Sequence, residues 1–343
     1  MKFQIKYPNA SSTDRFEFGH SFVTKMPHLA PCRWCNSMTR WIDVLFQVPV
    51  CSEECCHTMW AKYKADDKVV TMTTPFEKYI GHVKSEMLMA DRCNPNVSKD
   101  IIIVVHNQLP YFKECIESIR AHTKNFHLYI WDNASRSDTA QYLAGLMNEY
   151  QANPDPNWSI EVYTSDKNVG FIQPNNELVA WGKSDYVILV NSDTKVFPMW
   201  DRALIGHLQE HPGTAQVGFW GGHLDESGIG FGGSNGDYVD YIPGWCFCIS
   251  RKTYEQFGLF NKQLVFAYSE DADLSLRLKE AGHRIYALYA PLLHHYQNKT
   301  IVEVANEGKI DVQASFDHNH EYIRVKWKDY LENRRVTLHE KRP

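Results

Sequence analysis

From Asp100 onward the chain alternates short apolar runs with segments of helical periodicity, and this alternation most constrains its fold. Residues 101–105 (IIIVV) form a continuous β-branched run, as expected of a strand that is covered on both faces. Residues 109–123 then place their apolar side chains at helical spacing. Strands that alternate with helices form parallel sheets. The sequence therefore predicts an α/β domain with a Rossmann-like, mostly parallel sheet and helices on both faces.

The same alternation continues along the middle of the chain. Further strands are predicted at residues 127–131, 159–164 and 186–190, and helices at residues 137–150 and 173–181. Beyond Pro212 the chain becomes rich in glycine, which predicts loops and short hairpins around a site. Two later helices are predicted at residues 274–281 and 321–335.

The strand predicted at residues 186–190 ends abruptly at Asn191-Ser192-Asp193. It would deliver a carboxylate to the carboxyl edge of the sheet, where open α/β sheets bind ligands. A hard oxygen ligand there suits Mg²⁺ or Mn²⁺, which bind through one or two carboxylates plus substrate phosphates. A second acidic cluster, residues 269–273 (SEDAD), follows the glycine-rich segment. Two such clusters indicate metal-assisted transfer chemistry on a phosphorylated donor.

Five cysteines crowd into one short window of the first 60 residues. Two pairs with knuckle spacing predict a structural Zn²⁺ with closed tetrahedral coordination. The predicted ligands are Cys32, Cys35, Cys51 and Cys55, with Cys56 and His57 as spare donors that could replace Cys55. So short a module has too little core to fold alone, so the metal would contribute much of its stability. Buried thiols without metal are the alternative.

Length and charge bound the organisation of the chain. Its 343 residues are more than a single hydrophobic core usually accommodates, so we predict several parts. These are a zinc-binding module at 1–65, a linker or helical connection at 66–98, the main domain at 99–300 and a C-terminal helical extension at 301–343. A net charge of −5 implies no global attraction to nucleic acid or anionic membrane. Without an apolar run long enough to span a bilayer, or a signal-peptide core, the sequence predicts a soluble, cytoplasmic protein.

The order of the motifs resembles that of the family-two nucleotide-sugar glycosyltransferases, which have the GT-A fold. The resemblance covers residues 100–300 approximately and extends over a series of motifs. The matching segments are residues 101–107 (IIIVVHN), 131–135 (WDNAS), 168–171 (NVGF) with Asn175-Asn176, 191–193 (NSD), 244–246 (GWC), 270–273 (EDAD) and His294-His295.

The resemblance implies roles for these residues. The implied nucleotide-sugar contacts are His106, Asn107, Asp132, Ser135, Asn168, Gly170, Asn176, Asn191 and Ser192. Asp193 would hold Mn²⁺ or Mg²⁺ together with His294 or His295, and the sequence leaves open which histidine takes part. Asn191 stands where the commonest pattern has its first aspartate, so we expect a modest metal affinity.

On the acceptor side, the resemblance makes Asp271 the general base of an inverting displacement. Neighbouring carboxylates would raise its pKa toward the range that this role needs. Glu270 is implied to support catalysis or to bind an acceptor hydroxyl, and Asp273 is interpreted as an N-cap or first-turn acid of the following helix. Gly244 and Trp245 would line the acceptor side, although a tryptophan in so aromatic a chain could equally pack in the core.

The predicted activity is transfer of a hexosyl or pentosyl group from a nucleoside diphosphate sugar, with UDP-sugar favoured and dTDP-sugar second. The acceptor stays open among a hydroxymethylated DNA base, a protein and a glycan. By analogy of architecture, phage-type enzymes that modify DNA or virion proteins would place the chain in a host cytoplasm. The alternative from a different class is a zinc-containing module that binds nucleic acid or protein on a degenerate transferase fold. The intact Asp193 and Asp271 argue against that alternative.

Overall fold

The computed structural model describes residues 15–18, 21–31, 38–43, 48–49 and 73–332, without 226, 297, 298 and 309. Side chains are described from residue 81 onward, with the same gaps and without 231, 232 and 306. The chain divides into two units, residues 1–81 and 82–343.

The first unit contains an antiparallel four-stranded sheet in the order β1-β2-β3-β4, with β1 at Arg15–Phe18, β2 at Ser21–Pro31, β3 at Met38–Asp43 and β4 at Val48–Pro49. The four cysteines predicted to bind zinc lie outside the described residues, so the structural zinc stays a prediction.

The second unit is built on a seven-stranded sheet. Its strands are β5 (Lys99–Val105), β6 (Phe126–Asp132), β7 (Trp158–Thr164), β8 (Tyr186–Val190), β10 (Thr214–Gly218), β13 (Cys246–Ser250) and β14 (Arg284–Ala287), in the order β14-β10-β13-β8-β5-β6-β7. Four neighbouring pairs are parallel, and β13 runs antiparallel between β8 and β10. The predicted mostly parallel sheet is confirmed.

Smaller strands and helices complete this unit, and the first of the helices begins in the first unit. The short strands are β9 (Thr194–Val196) paired with β15 (Leu293–His295), and β11 (Gly221–Leu224) paired with β12 (Gly230–Ser234). The helices are α1 (Thr73–Arg92), α2 (Leu109–His122), α3 (Ser137–Ala152), α4 (Ile172–Trp181), α5 (Trp200–Glu210), α6 (Arg251–Phe257), α7 (Glu270–Glu280), α8 (Lys299–Glu307) and α9 (Val312–Lys326). None of the helices within the described ranges combines the length and apolar character that crossing a membrane requires.

The predicted element boundaries between β5 and β8 agree with the structure to within two residues, whereas the later predictions need correction. Helix α7 begins at Glu270 instead of residue 274, because three acidic side chains in its first turn suit the positive end of the helix dipole. Helix α9 begins nine residues before the predicted start, at Val312, where the Asp311 side chain caps it. Helix α8 lies at the start of the predicted C-terminal helical extension, 301–343, but it was not predicted as a separate helix.

Both faces of the sheet are covered, as the β-branched run of β5 predicted. Ile101 and Ile103 point to one face and Ile102 to the other, and all three are completely buried. The face that carries Ile102 packs against apolar side chains of α4 and α7, among them Leu178 and Leu274. The sheet is therefore a rigid platform whose strand ends present polar residues.

Buried ion pairs lie at the amino end of β5. The Lys99 ammonium is 2.8 Å from the Asp201 carboxylate, and both side chains are buried. Next to it, Asp100 binds the Arg251 guanidinium at 2.6 Å and the Ser184 hydroxyl at 2.7 Å. These pairs neutralise the amino end, so the chemistry-bearing groups that remain lie at the carboxyl edge.

Candidate active site

The carboxyl edge of the sheet gathers the ends of several strands. Because β6, β5 and β8 are neighbouring parallel strands, the segments that follow them begin at the same edge. Strand β13 runs in the opposite direction and pairs Cys246 with Val190, so the residue before it, Trp245, also lies at this edge. The backbone N–H of Asn191 donates to the Trp245 carbonyl at 2.8 Å. The edge thus joins the first acidic segment to the glycine-tryptophan loop.

Asp193 and His295 meet at the centre of this edge. Pairing of β9 with β15 sets His295 opposite Thr194, and this register places His295 Nε2 3.1 Å from Asp193 Oδ1. The backbone N–H of Lys299 donates to Asp193 Oδ2 at 3.3 Å. Burial alone would raise the pKa of Asp193, but the hydrogen bond and charge of His295 and the Lys299 N–H outweigh it and lower the pKa. Asp193 is therefore held as a carboxylate.

Strand alternation separates the two adjacent histidines. His294 contacts the Tyr296 ring edge-on with 4.6 Å between centroids, and no described hydrogen bond joins it to Asp193. Burial lowers the pKa of His294, and the neighbouring His295 lowers it further. The structure places His295, and not His294, against the carboxylate.

The donor atoms at this point suit a divalent ion. One carboxylate and one imidazole converge, and the buried Oδ1 of Asn191 has no hydrogen-bond partner within the described part of the chain. Mn²⁺ and Mg²⁺ accept such ligands and complete their coordination with phosphate oxygens and water. Over the described ranges, no group of three or more histidine, cysteine, aspartate or glutamate side chains that could hold a metal is present.

The predicted nucleotide contacts at the carboxyl ends of β5 and β6 form one hydrogen-bonded cluster. His106 Nδ1 lies 2.8 Å from the Asn133 carbonyl oxygen, and the Asn107 N–H donates to the Ser135 hydroxyl at 2.9 Å. Asp132 Oδ1 accepts the Ser135 N–H at 2.9 Å, which is the turn-forming role of an aspartate at a strand end. The structure brings these predicted residues together.

Asn133 connects this cluster to the next motif, although the sequence did not single it out. Its Nδ2 donates to Asn168 Oδ1 and to the Gly170 carbonyl, both at 2.8 Å. Its Oδ1 accepts the Val169 N–H at 2.9 Å. Its place beside Asp132 in the WDNAS turn was the available signal.

Two other residues predicted to contact the nucleotide, Asn176 and Ser192, have different surroundings. The Asn176 amide is used by the backbone of Phe260, donating to its carbonyl at 3.0 Å and accepting its N–H at 2.9 Å. Asn176 therefore fixes α4 to the loop after α6 and is not brought to the cluster around Asn133. Ser192 is buried in the turn between β8 and β9.

Helix α8 places two carboxylates close to the residues that are predicted to contact the nucleotide. Glu303 forms an ion pair with Arg136 at 2.5 Å and accepts a hydrogen bond from Gln108. Glu307 Oε1 lies 3.3 Å from Asn107 Nδ2 and 3.4 Å from His106 Nε2. Neither glutamate was among the predicted site residues, because this region was predicted only as part of a C-terminal helical extension. Apolar and acidic residues at helical spacing over residues 299–307 were a signal for helix α8.

Asp271 and Glu270 lie at the start of α7, where the backbone holds Asp271 closely. Asp271 Oδ2 accepts the Gly244 N–H at 2.8 Å, and Oδ1 accepts the Ala272 N–H at 2.7 Å. Burial raises the pKa of Asp271 in spite of these hydrogen bonds. Burial, followed by the charge of Asp271, raises the pKa of Glu270 well above its ordinary value. Glu270 Oε2 is buried and has no hydrogen-bond partner among the described residues.

The glycine-tryptophan loop joins the two acidic groups. Gly244 binds Asp271, and a Cβ at position 244 would lie 3.5 Å from Glu270 Oε1. The next residue, Trp245, is half-buried and stacks on the His295 ring with 5.2 Å between centroids and 15° between planes. Trp245 therefore contacts the Asp193–His295 pair instead of packing in the core.

Asp273 has a different environment. Ser269 is the N-cap residue of α7, so the N-cap alternative for Asp273 is wrong and the first-turn alternative is confirmed. Its completely buried carboxylate accepts hydrogen bonds from Arg277 and Lys326, both at 2.8 Å, and from Trp327 Nε1 at 3.1 Å. Asp273 therefore connects α7 to α9.

Comparison with known proteins finds a matching family model and a curated relative. Residues 100–262 match the family model described as Glycosyl transferase family 2. A curated protein of Sinorhizobium fredii (strain NBRC 101917 / NGR234), Uncharacterized protein y4gI, is 26% identical over 265 residues, which cover 67% of this chain and 27% of that protein. The chain therefore spans about a quarter of this relative's length.

Solved structures resemble part of this chain. The crystal structure of GalNAc-T7 with UDP, GalNAc and Mn²⁺ aligns with a TM-score of 0.51 and 13% identity, over 62% of this chain and 49% of that one. The mannosyltransferase PcManGT of Pyrobaculum calidifontis, in complex with GDP-Man and Mn²⁺, aligns with a TM-score of 0.44 and 14% identity, over 61% and 63%.

The family match and the GalNAc-T7 alignment indicate the fold. Residues 100–262 resemble glycosyl transferase family 2, and the α/β unit has a GT-A-like fold, as the order of motifs predicted. The predicted glycosyltransferase class is supported by this family match.

Proposed function

We propose that the chain is a metal-dependent, inverting glycosyltransferase that moves a hexosyl or pentosyl group from a nucleoside diphosphate sugar to an acceptor hydroxyl. The observation that carries this proposal is the meeting of two acidic sites at one sheet edge. Asp193 with His295 lies on one side, Asp271 with Glu270 on the other, and Trp245 contacts the first while its neighbour Gly244 binds the second.

Asp193 and His295 would hold the divalent ion on the donor side, with the Asn191 amide oxygen beside them. When bound, Mn²⁺ or Mg²⁺ supplies Lewis-acid stabilisation of the leaving diphosphate. UDP-sugar is the favoured donor and dTDP-sugar the second. Because GalNAc-T7 was solved with UDP and Mn²⁺, these two ligands are the first pair to test.

Asp271 would take the proton of the attacking acceptor hydroxyl. A general base works best when its pKa approaches the working pH, and burial moves the pKa of Asp271 upward in this direction. Its two backbone hydrogen bonds fix the carboxylate against Gly244. Glu270 Oε2, which has no hydrogen-bond partner in the described part of the chain, would bind a second substrate hydroxyl.

Calorimetry with UDP and Mn²⁺ tests the donor side. We expect Asp193→Ala and His295→Ala to weaken metal-dependent UDP binding on the order of 10–100-fold or more. His294→Ala is the matched control and should leave the affinity within a factor of about three, because no described hydrogen bond joins His294 to Asp193 and its ring packs against Tyr296. Unchanged affinity in Asp193→Ala would show that the ion lies elsewhere or is not used.

Turnover tests the role of Asp271. Asp271→Asn should lower transfer on the order of 10²–10⁴-fold and retain UDP affinity. Because both carboxylate oxygens accept backbone N–H groups, the introduced amide NH₂ would face one of them, so thermal unfolding must show that the variant is folded. A folded Asp271→Asn enzyme with wild-type turnover would refute this assignment. Donor hydrolysis serves as the assay until the acceptor is known.

A screen of labelled sugar nucleotides against hydroxymethylated DNA, protein and glycans addresses the acceptor. The rival proposal, a binding module on a degenerate transferase fold, predicts no stabilisation by nucleotide. A rise in melting temperature with UDP and Mn²⁺ favours the enzyme, because a ligand that binds the folded state stabilises it.

The proposal includes an N-terminal zinc module at residues 1–65 with the ligands Cys32, Cys35, Cys51 and Cys55. Metal analysis of protein purified without chelator should find one zinc ion per chain. Cys55→Ser should lose the metal and Cys56→Ser should keep it. Equal loss in both variants would mean that Cys56 is also a ligand.

A further inference from the structure

The loop that precedes α7, residues 265–269, has an unusual backbone. Phe266, Tyr268 and Ser269 have φ angles of 56°, 79° and 66°. These angles lie in the left-handed region, which residues other than glycine rarely adopt. Three of the five residues in this loop therefore have a backbone conformation that their intrinsic preferences do not favour. Other contacts must therefore determine the conformation of the loop.

This loop connects both sides of the candidate site. The Phe266 carbonyl accepts the N–H groups of Phe171 at 2.6 Å and Ile172 at 3.2 Å, immediately after the donor-side Gly170. Gly170 has φ of +87°, and a Cβ there would be 2.5 Å from the Phe266 oxygen. At its other end the loop continues directly into Glu270 and Asp271. Its shape therefore sets where Asp271 lies relative to the donor-side motif.

One side chain from α9 binds almost the whole loop. Asn319 is completely buried, and its Oδ1 accepts the Val265 N–H at 2.9 Å. Its Nδ2 lies 2.8 Å, 2.9 Å and 3.0 Å from the carbonyl oxygens of Val265, Ala267 and Tyr268. No other standard side chain of this size offers an acceptor and two donors together.

We propose that Asn319 is a positioning residue for the transfer reaction. It holds residues 265–269 in the conformation that contains these three left-handed residues and so fixes the Asp271 carboxylate at the sheet edge, which makes α9 part of the catalytic apparatus. This inference rests on the proposed function, because it assigns Asn319 to the same site. Aligned reacting groups are sensitive to small displacements, and an error of about 1 Å can cost on the order of 10² in rate.

Asn319→Leu tests the inference, because leucine has a similar volume and forms none of the four hydrogen bonds. We expect turnover to fall on the order of 10–100-fold. The Kd for UDP with Mn²⁺ should change far less than turnover, since among the described hydrogen bonds the loop reaches the donor side only through the Phe266 carbonyl, whereas it continues directly into Asp271. Asn319→Ser is the second variant, in case Asn319→Leu does not fold. Tyr322→Phe is the matched control on the same helix, because its hydroxyl binds Asn261 and Gln263 outside the loop.

Comparing the change in turnover with the change in the Kd for UDP decides whether Asn319 has a positioning role or a general structural role. Wild-type turnover in a folded Asn319 variant would overturn the inference. Equal losses of turnover and UDP affinity would also overturn it, because they indicate a general structural role. An inactive wild-type enzyme that does not bind UDP would instead refute the proposed function itself.

Discussion

Asp273 offers a sharp separation of stability from catalysis, because it lies two residues from the proposed base and faces the opposite way. Its carboxylate accepts hydrogen bonds from Arg277 on its own helix and from Lys326 and Trp327 at the end of α9. Asp273→Asn removes the charge from this buried arrangement and turns an NH₂ group toward one of the donors. We expect a less stable protein with an intact active site.

The expected loss of stability in Asp273→Asn follows from the burial of the Asp273 carboxylate. Removing one partner of a fully buried ion pair costs about 3–5 kcal/mol. Asp273 is completely buried, but Arg277 and Lys326 are 20% and 31% exposed, so solvent can partly satisfy them after the change. We therefore expect the free energy of unfolding to fall by about 3 kcal/mol, the lower end of that range. For a unit of this size the melting temperature should fall by about 6–12 °C.

Thermal and urea unfolding measure this loss, and turnover well below the melting temperature measures catalysis. Glu321→Gln is the control on the same helix and should change stability little, since its ion pair with Arg324 is exposed on both sides. A well-folded Asp273→Asn protein without turnover would refute the reasoning. It would be decisive if Asp271→Asn remained active, because the two roles would then be reversed.

Three further predictions concern stability. Burial raises the pKa of Glu86 from 4.5 to about 7, so the folded state binds a proton that the unfolded state releases in that window. Stability should therefore fall by about 3 kcal/mol as the pH rises from 4.5 through 7, and Glu86→Gln should lose this part of the pH dependence of the melting temperature. Lys99→Met should cost about 3–5 kcal/mol in urea unfolding by leaving Asp201 buried and unpaired, and adding Asp201→Leu should recover most of it. Gly170→Ala should cost on the order of 1–3 kcal/mol, measured the same way, because alanine is strained at this φ and its Cβ would meet Phe266.

The first half of the α/β domain could be predicted from sequence because its signals are local. β-Branched runs, helical spacing and strand-end polar residues each depend on neighbours in the chain, and they gave β5 to β8 with their helices. The position of Asp193 at a sheet edge followed from the same local pattern. Parallel neighbours then bring the ends of β5, β6 and β8 together without any further information.

What the sequence could not predict depends on register between distant strands. The selection of His295 over His294 follows from the pairing of β15 with β9, which no local pattern records. The stacking of Trp245 on His295 follows from the antiparallel insertion of β13 beside β8. The hydrogen bonds of Asn176 could not be predicted for a similar reason, since its partner Phe260 lies far along the chain.

Backbone hydrogen bonds carry the connections between the two sides of the candidate site. Asn191 N–H binds the Trp245 carbonyl, Gly244 N–H binds Asp271, and Phe171 N–H binds the Phe266 carbonyl. The first and the third of these bonds join main-chain atoms only, so the side chains there are free to vary as long as the backbone keeps its conformation, whereas the second requires the Asp271 carboxylate. In the proposed transferase, substrate preference can therefore change through side chains such as Trp245 while the distance between the two acidic sites is preserved. The side chains that hold the backbone itself, above all Asn133 and Asn319, do not have this freedom.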